Sequence, residues 1–175
     1  PLRGAKTSTW EGGVRVPFII RAPGKVPAGK VCHSLAMTMD CLPTFAHLAN
    51  AETPQDRVID GMDITKLIHG TQNEIPNRTF FYYQDRFLQA VRQGKWKLHL
   101  PRKAQEPWAA KWGSHLLKKD FIDIPEARLI NLEEDVEEKG NVANKYPEIV
   151  DELLRLAAHG SRDIGDYDRA GENAR

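Results

Sequence analysis

Cysteine and long apolar runs are both scarce in this sequence, and each absence narrows the class of protein. Cys32 and Cys41 are the only cysteines among 175 residues. Two are too few for the disulfide framework that holds many small secreted domains together. One disulfide or two buried free thiols both remain possible. No stretch approaches the roughly 18 apolar residues of a membrane-spanning helix, so we expect no membrane as partner.

An excess of one charge sign is also missing. The chain has 25 Lys and Arg against 24 Asp and Glu, a formal net charge of +1. A balance this close to zero gives no reason to expect nucleic acid as partner. Only locally is the charge uneven, with cations concentrated in residues 101–120 and acids in residues 123–138, an arrangement typical of two solvated surface loops.

Several common catalytic motifs are absent from the sequence. It contains no G-x-S-x-G elbow, no phosphate-binding P-loop and no G-x-G-x-x-G segment, which leaves serine-hydrolase and nucleotide-binding functions without support. No two of the six histidines have the i, i+4 or H-x-H spacing of zinc ligands. The pattern therefore disfavours a zinc site built from His33, His47, His69, His99, His115 and His159.

The first half of the chain has a mixed pattern of apolar segments. Residues 14–22 are mostly β-branched and apolar and end at a Pro-Gly pair, which predicts a short buried strand. Apolar residues at helical spacing predict a helix from about Asp40 to Ala49 and a shorter one from about Asp60, with Gly70 as its stop.

The second half predicts a sheet with one covering helix. β-Rich runs occur at 79–83, 87–92, 95–100 and 128–132, and Gln93-Gly94 is typical of a hairpin turn. The strict alternation in residues 96–100 predicts one buried and one solvent-facing side. A helix is expected from about Pro147 to His159, ended by Gly160, and we expect the tail after it to fray.

The order of motifs resembles the sulfatase family. Residues 1–17 read PLRGAKTSTWEGGVRVP, similar to that family's PLRGGK-xxxWEGGxRVP segment. The family's D-L-x-P-T and D-G-x-D-L segments have counterparts at 40–44 and 60–64. Residues 128–142 resemble its L-Y-D-L-xx-D-P-x-E-xx-N-L run, although Asn131 replaces the usual Asp and Val136 the usual Pro.

The resemblance implies an α/β fold in two parts. Residues 1–70 would form the closing part of an alkaline-phosphatase-like α/β domain. Residues 71–160 would form a small C-terminal antiparallel sheet of four strands with a covering helix, and residues 161–175 a polar tail. Because residue 1 already lies inside the first motif, we expect the chain to be the C-terminal part of a longer enzyme.

Lys6 is the candidate that the resemblance implies for sulfate binding. An ammonium in a short glycine-permitted loop reaches the charged oxygens of a sulfate ester as a point charge. Ala5 stands where the family commonly has Gly, which makes a positive φ less comfortable there. For Arg15 we expect an ion pair with a carboxylate from outside the chain, and for Glu11 hydrogen bonds from backbone N–H groups of its turn.

A long excursion from Pro101 to Pro125 holds Trp108, Trp112 and His115 among several cations. Such a composition suits stacking on a sugar or on another ring-bearing sulfate ester, but the tryptophans could equally pack the loop onto the sheet. In the family, loops of the C-terminal part reach the substrate pocket. The resemblance therefore makes His115 a candidate for substrate specificity.

Two groups that sulfatases use have no counterpart in this chain. Formylglycine arises from the Cys or Ser of a C/S-x-P-x-R motif, and Cys41 is followed by Pro43 but has Phe45 where the Arg belongs. No Asp-Asp pair is present to begin the family's calcium site. The resemblance thus implies no catalytic or metal-binding residue in this chain, which alone would be inactive, and assigns formylglycine and calcium to a preceding N-terminal part.

The function implied is hydrolysis of a sulfuric ester, either a small molecule or a carbohydrate. One alternative is a phosphate-ester or phosphonate hydrolase of the same superfamily, because the same charge clamp suits a tetrahedral phosphoryl group. Another is a non-catalytic module that binds sulfated glycans through the 101–125 excursion. Family members are commonly exported, which implies a periplasmic or secreted location.

Overall fold

The computed structural model describes residues 2–104 and 122–174. Its contacts divide the chain into two compact units. The first, which we call the sheet unit, joins residues 2–16 to the described residues from 79 to 174. The second, the central unit, comprises residues 17–78. The predicted domain boundaries at residues 70 and 160 stay a prediction.

A four-stranded antiparallel sheet forms the frame of the sheet unit. The strands follow one another in chain order, and each pairs antiparallel with the next. The predicted sheet is therefore confirmed, with a register shift between Tyr82 and Tyr83. The strands are β1 (Thr79–Gln84), β2 (Phe87–Gln93), β3 (Trp96–His99) and β4 (Arg128–Asn131).

One face of this sheet is apolar and packs against the long helix Pro147–Asp163, here αC. The helix begins with the predicted proline, whose missing N–H is harmless in a first turn. Its Leu153 and Ala157 contact sheet residues in a buried apolar cluster. The sheet contributes four residues to that cluster, Leu88, Val91, Leu98 and Leu129.

The predicted helix end at Gly160 is wrong, because αC continues to Asp163. Gly160 is buried, and a Cβ placed on it would lie 2.6 Å from the Phe81 ring. The glycine therefore permits close approach of helix and sheet, rather than stopping the helix.

The segment after αC is ordered into a short hairpin, so the predicted fraying is wrong for residues 161–170. Gly165–Asp166 (β5) pairs with Arg169–Ala170 (β6). Two hydrogen bonds attach this hairpin to the sheet. Tyr83 donates its hydroxyl to the Gly165 carbonyl at 2.8 Å, and the Leu88 N–H donates to Asp166 Oδ1 at 3.1 Å.

The other face of the sheet is polar but also buried. Lys97 and His99 alternate with Leu98 along β3, and all three side chains are 0% exposed. The prediction that one face of β3 meets solvent is therefore wrong. Residues 8–11, four consecutive buried residues of the N-terminal motif, cover this face.

The predicted strand over residues 14–22 is also wrong. Glu11–Val14 forms a single helical turn (α1), and the residues from Arg15 to Ala22 form no strand. Phe18 and Ile19 are 56% and 89% exposed. A strand needs a partner for its N–H and C=O groups, and none of the strands in the described residues pairs with this segment.

The central unit has two short helices. Cys41–Leu48 (α2) follows a 3₁₀ turn at Thr38–Asp40 and confirms the first predicted helix. Thr65–His69 (α3) begins five residues after Asp60, and Gly70 ends it with a φ of 72°, as predicted. Throughout the described ranges, no helix is long and apolar enough to cross a membrane.

Asp40 is the buried polar centre of the central unit. Its carboxylate accepts the backbone N–H of Met37 at 2.7 Å and of Met62 at 2.9 Å, and it forms an ion pair with Arg78. These contacts tie the start of α2 to the chain before α3 and to the end of the unit.

Candidate functional site

Lys6 lies at the tip of a tight turn. The N–H of Ser8 donates to the Ala5 carbonyl at 3.0 Å, and the Ser8 hydroxyl donates to the same oxygen at 2.9 Å. This places Lys6 at the second of four turn positions, with its side chain exposed. The turn therefore presents the ammonium to solvent, where an anion can reach it.

The left-handed residues of this loop are Gly4 and Thr7, each with a φ of 80°. Ala5 keeps a negative φ, so an Ala in place of the family's usual Gly causes no backbone strain here. A positive φ at the third turn position is the type II pattern, which favours Gly or Asn. Thr7 is β-branched and is strained there. Such a residue persists only where its surroundings over-determine it, and these sites are often functional.

The glycine pair of the Trp-Glu-Gly-Gly turn lets the loop fold back on itself. Gly12 donates its N–H to the Arg3 carbonyl at 2.7 Å. A Cβ on Gly12 would lie 2.6 Å from that oxygen, and one on Gly13 would lie 2.7 Å from the Ala5 carbonyl. No side chain fits at either position, which explains why the motif carries two glycines.

Arg3 and Trp10 hold the start of the loop. The Arg3 guanidinium lies over the Trp10 ring, 3.7 Å from its centroid, and donates to the Glu138 carbonyl at 3.0 Å. Trp10 is itself buried and its ring centroid is 4.1 Å from that of His99. The motif is thus packed onto the polar face of the sheet.

Lys97 is the centre of a buried ionic network that holds the end of the loop. Its Nζ lies 2.8 Å from the Thr9 carbonyl, 2.9 Å from Glu11 Oε1 and 2.8 Å from Glu138 Oε1. It also lies 4.2 Å from the centroid of the Tyr82 ring. Three acceptors therefore satisfy the three donors of the ammonium.

Glu11 binds side chains rather than the backbone N–H groups predicted for it. Its Oε1 accepts the Tyr82 hydroxyl at 3.2 Å in addition to Lys97, and Arg92 lies 3.4 Å from its Oε2. Burial, and then the Glu11 charge, raise the pKa of Tyr82, which stays a neutral donor. The backbone N–H of Glu11 donates to Glu138 Oε2 at 2.6 Å.

His99 completes the network as a neutral group. Burial, and then the nearby charge of Lys97, hold the pKa of His99 well below its ordinary value. Because a carboxylate only accepts, His99 donates its Nε2–H to Glu138 Oε1, at 2.9 Å. The Glu138 carboxylate thus accepts from Lys97, His99 and the Glu11 backbone, and needs no further partner.

A tight loop after β4 turns Glu138 inward. Glu138 has a φ of 55°, and the Asp135 carboxylate accepts the next two N–H groups, from Lys139 at 3.1 Å and from Gly140 at 2.7 Å. Sequence reasoning missed Glu138, Lys97 and His99 as site residues. Two signals in the sequence could have found them. Glu138 is the glutamate of the family's run at 128–142, and Lys97 and His99 are polar residues that alternate along β3.

Other predicted residues are not brought to the loop. Arg15 is exposed and forms no ion pair with any of the described residues, so its pairing stays a prediction. Trp108, Trp112 and His115 lie outside the described residues. Cys32 and Cys41 are free thiols, exposed and half-buried respectively, so they neither pair nor are fully buried.

No metal centre is formed by residues 2–104 and 122–174. Within those ranges no group of three or more His, Cys, Asp or Glu could hold a metal ion. The two carboxylates of the buried network, Glu11 and Glu138, already accept hydrogen bonds from Lys97. The residues that the structure describes therefore do not fit a calcium ion.

Comparison with known proteins agrees with this fold. Residues 75–173, more than half of the chain, match the family model for the C-terminal region of aryl-sulfatase. The chain is 46% identical over 91 residues to steryl-sulfatase of Mus musculus, covering 52% of this chain and 15% of that relative. It is 42% identical over 121 residues to N-acetylgalactosamine-6-sulfatase of Canis lupus familiaris, covering 69% and 22%.

A solved structure shares the fold over most of the chain. It is described under the metabolism of multiple glycosaminoglycans by Bacteroides thetaiotaomicron, and it superposes with a TM-score of 0.72 at 28% identity. The match covers 90% of this chain and 31% of that one. The sheet and αC are thus those of a C-terminal sulfatase region. The chain belongs to the sulfatase family, and it spans less than a third of the length of each of these three proteins.

Proposed function

We propose that this chain is the C-terminal part of a sulfuric ester hydrolase in which Lys6 binds the sulfate group of the substrate. The observation that carries the proposal is the Lys6 turn, which is exposed at its tip and held at its base by buried charged residues. A lysine that is merely solvated at the surface needs no such buried support beneath its turn. A charge that must meet a substrate at a fixed position does need that support.

The chemical role of Lys6 is electrostatic. A sulfate monoester carries its negative charge on non-bridging oxygens, and a fixed ammonium stabilises that charge in the bound ester and in the transition state. Lys6 therefore binds and orients; it is not a nucleophile or a general base. Formylglycine and calcium, when bound, would supply the nucleophile and a Lewis acid, and we assign both to a preceding part of the protein.

The proposed substrate is a small-molecule or carbohydrate sulfate ester. Two relatives are named for a steryl and for an N-acetylgalactosamine-6 sulfate, so the attached group varies within the family. The shared feature is the sulfate, which fits a site with one cation at the tip of a loop. The residues that select the attached group, His115 among the candidates, remain proposals.

The test is Lys6→Ala in the intact protein, with hydrolysis of 4-nitrophenyl sulfate as the readout. Loss of one preorganised charge at a transferring group costs about 100- to 1,000-fold in rate, and we expect a loss of kcat/KM of this order. Lys145→Ala is the matched control, since Lys145 is also exposed in the sheet unit. Equal activity of the two variants would contradict the role of Lys6.

The same assay separates the alternatives. A phosphate-ester hydrolase would cleave 4-nitrophenyl phosphate faster than the sulfate. A non-catalytic module would cleave neither, and would retain a sulfated glycan on an affinity column. Preferential cleavage of the sulfate, lost in Lys6→Ala, is the expected result.

A further inference from the structure

The loop that carries Lys6 is clamped on both sides by the same residue. Glu138 accepts the Glu11 backbone N–H at one side, through Oε2, and the Arg3 guanidinium at the other side, through its own carbonyl oxygen. Its Oε1 orients Lys97, which in turn holds the Thr9 carbonyl. Both ends of the segment between Arg3 and Glu11 therefore contact one residue, the Arg3 end through its backbone carbonyl and the Glu11 end through its side chain.

We propose that Glu138, acting through Lys97 and the Glu11 backbone, is a positioning residue that sets where Lys6 meets the sulfate. The inference rests on the proposed role of Lys6 and adds the residue that orients it. Glu138 touches no substrate, because its side chain is fully buried.

The composition of this clamp favours positioning over simple stability. A buried ion pair often contributes no more to stability than apolar residues of similar volume would, because removing two charges from water is costly. What charges and N–H groups add is direction, since each hydrogen bond requires one distance and angle. Here they fix the Thr9 carbonyl and the Glu11 N–H, which lie three and five residues from Lys6.

A catalytic role for the network itself is excluded by its burial. Lys97, His99 and Glu138 are each 0% exposed. Both oxygens of the Glu138 carboxylate accept hydrogen bonds from buried groups, and His99 is neutral with its Nε2–H donated to Glu138. These groups cannot exchange a proton with a substrate, so any effect on the reaction must pass through the loop.

Glu138→Gln in the intact enzyme is the test variant. An amide has a single oxygen, so its NH₂ group must face a donor, either Lys97 and His99 or the Glu11 N–H. The shape of the side chain and the Arg3 contact with the backbone carbonyl are kept, while one of these two sets of side-chain hydrogen bonds is lost. We expect the inhibition constant of inorganic sulfate, measured against 4-nitrophenyl sulfate, to rise about 10-fold, and amide exchange at Ser8 and Gly12 to accelerate.

A double-mutant cycle with Lys6→Ala separates positioning from general damage. If Glu138 acts through Lys6, then Glu138→Gln raises the inhibition constant no further in the Lys6→Ala background, because the group it orients is gone. Leu153→Ala is the matched control for lost stability, since it lies in the apolar cluster on the opposite face of the sheet. It should lower the melting temperature and leave the inhibition constant unchanged.

A milder variant covers the case in which Glu138→Gln does not fold. Thr9→Val is isosteric and removes the hydrogen bond from Thr9 Oγ1 to Gln89 Oε1, which is 2.9 Å long. It should raise the inhibition constant in the same direction by a smaller factor. An unchanged constant in whichever of the two variants folds, or a full effect that persists without Lys6, would overturn the positioning proposal. No effect of Lys6→Ala itself would overturn the proposed function first.

Discussion

The sheet unit and the central unit bury their residues in different ways. In the sheet unit both faces of one sheet are covered, the apolar face by αC and the polar face by the N-terminal motif. In the central unit, large apolar side chains such as Ile19, Leu42 and Phe45 are 89%, 52% and 57% exposed. The sheet unit thus covers both faces of its sheet, whereas the central unit leaves several large apolar side chains exposed.

The division into these two units also shows that closeness in sequence is a poor guide to which residues fold together. Residues 2–16 are adjacent in sequence to the central unit, yet they belong to the unit whose strands begin more than 60 residues later. The motif that carries Lys6 is thus built as part of the C-terminal sheet. A change in that sheet should therefore affect the loop more than a change in the central unit does.

The largest expected effect comes from the same substitution made once in each unit. Leu129→Ala removes a fully buried side chain from the cluster under αC and should cost about 2–5 kcal/mol of unfolding free energy. Leu48→Ala, at a position 42% exposed on α2, should cost well under half of that. Urea unfolding of the 175-residue chain compares the two, and equal losses would contradict the contrast between the units.

A pH dependence should distinguish the polar face of the sheet. The pKa of His99 is held well below its usual value, so below about pH 6.5 the unfolded chain binds a proton that the folded chain does not. The free energy of unfolding therefore falls as the pH falls, by up to about 1.4 kcal/mol per pH unit from this group.

The measurement is the slope of stability between pH 7.5 and 5.5 in the His99→Gln variant. Glutamine keeps a donor toward Glu138 but cannot titrate, so the variant should lose this part of the slope even if it is less stable throughout. His159→Gln, an exposed position on αC, is the control and should keep the slope. An identical slope in all three proteins would show that His99 also binds its proton in the folded state.

The smallest effect on stability is expected from a substitution at Ile19. The same substitution should have a measurable effect on self-association of the chain. Ile19→Ser should change the unfolding free energy by less than about 0.5 kcal/mol, as exposed positions usually do. It should also reduce self-association measured by light scattering, because exposed apolar patches favour it. Ile122→Ser, at 37% exposure in the sheet unit, should change association less.

Local patterns were enough to predict the strands, the long helix and the two helices of the central unit. Alternation identified β3, helical spacing identified α2, and a proline in a permitted first turn marked the start of αC. Two local predictions nevertheless failed. The apolar segment after Val14 is not a strand, since no described strand pairs with it, and Gly160 does not end αC, because its contact with Phe81 makes glycine necessary inside the helix.

The sequence by itself determined the family, the order of the elements and the place of Lys6 in its loop, because each rests on neighbouring residues. Only the tertiary structure showed that Lys97, His99 and Glu138 meet beneath that loop. Glu11 is 86 residues from Lys97 and 127 from Glu138, and no local pattern encodes which distant charges pair. Burial made that pairing necessary, since a lysine removed from water is stable as a cation only beside carboxylates that neutralise it.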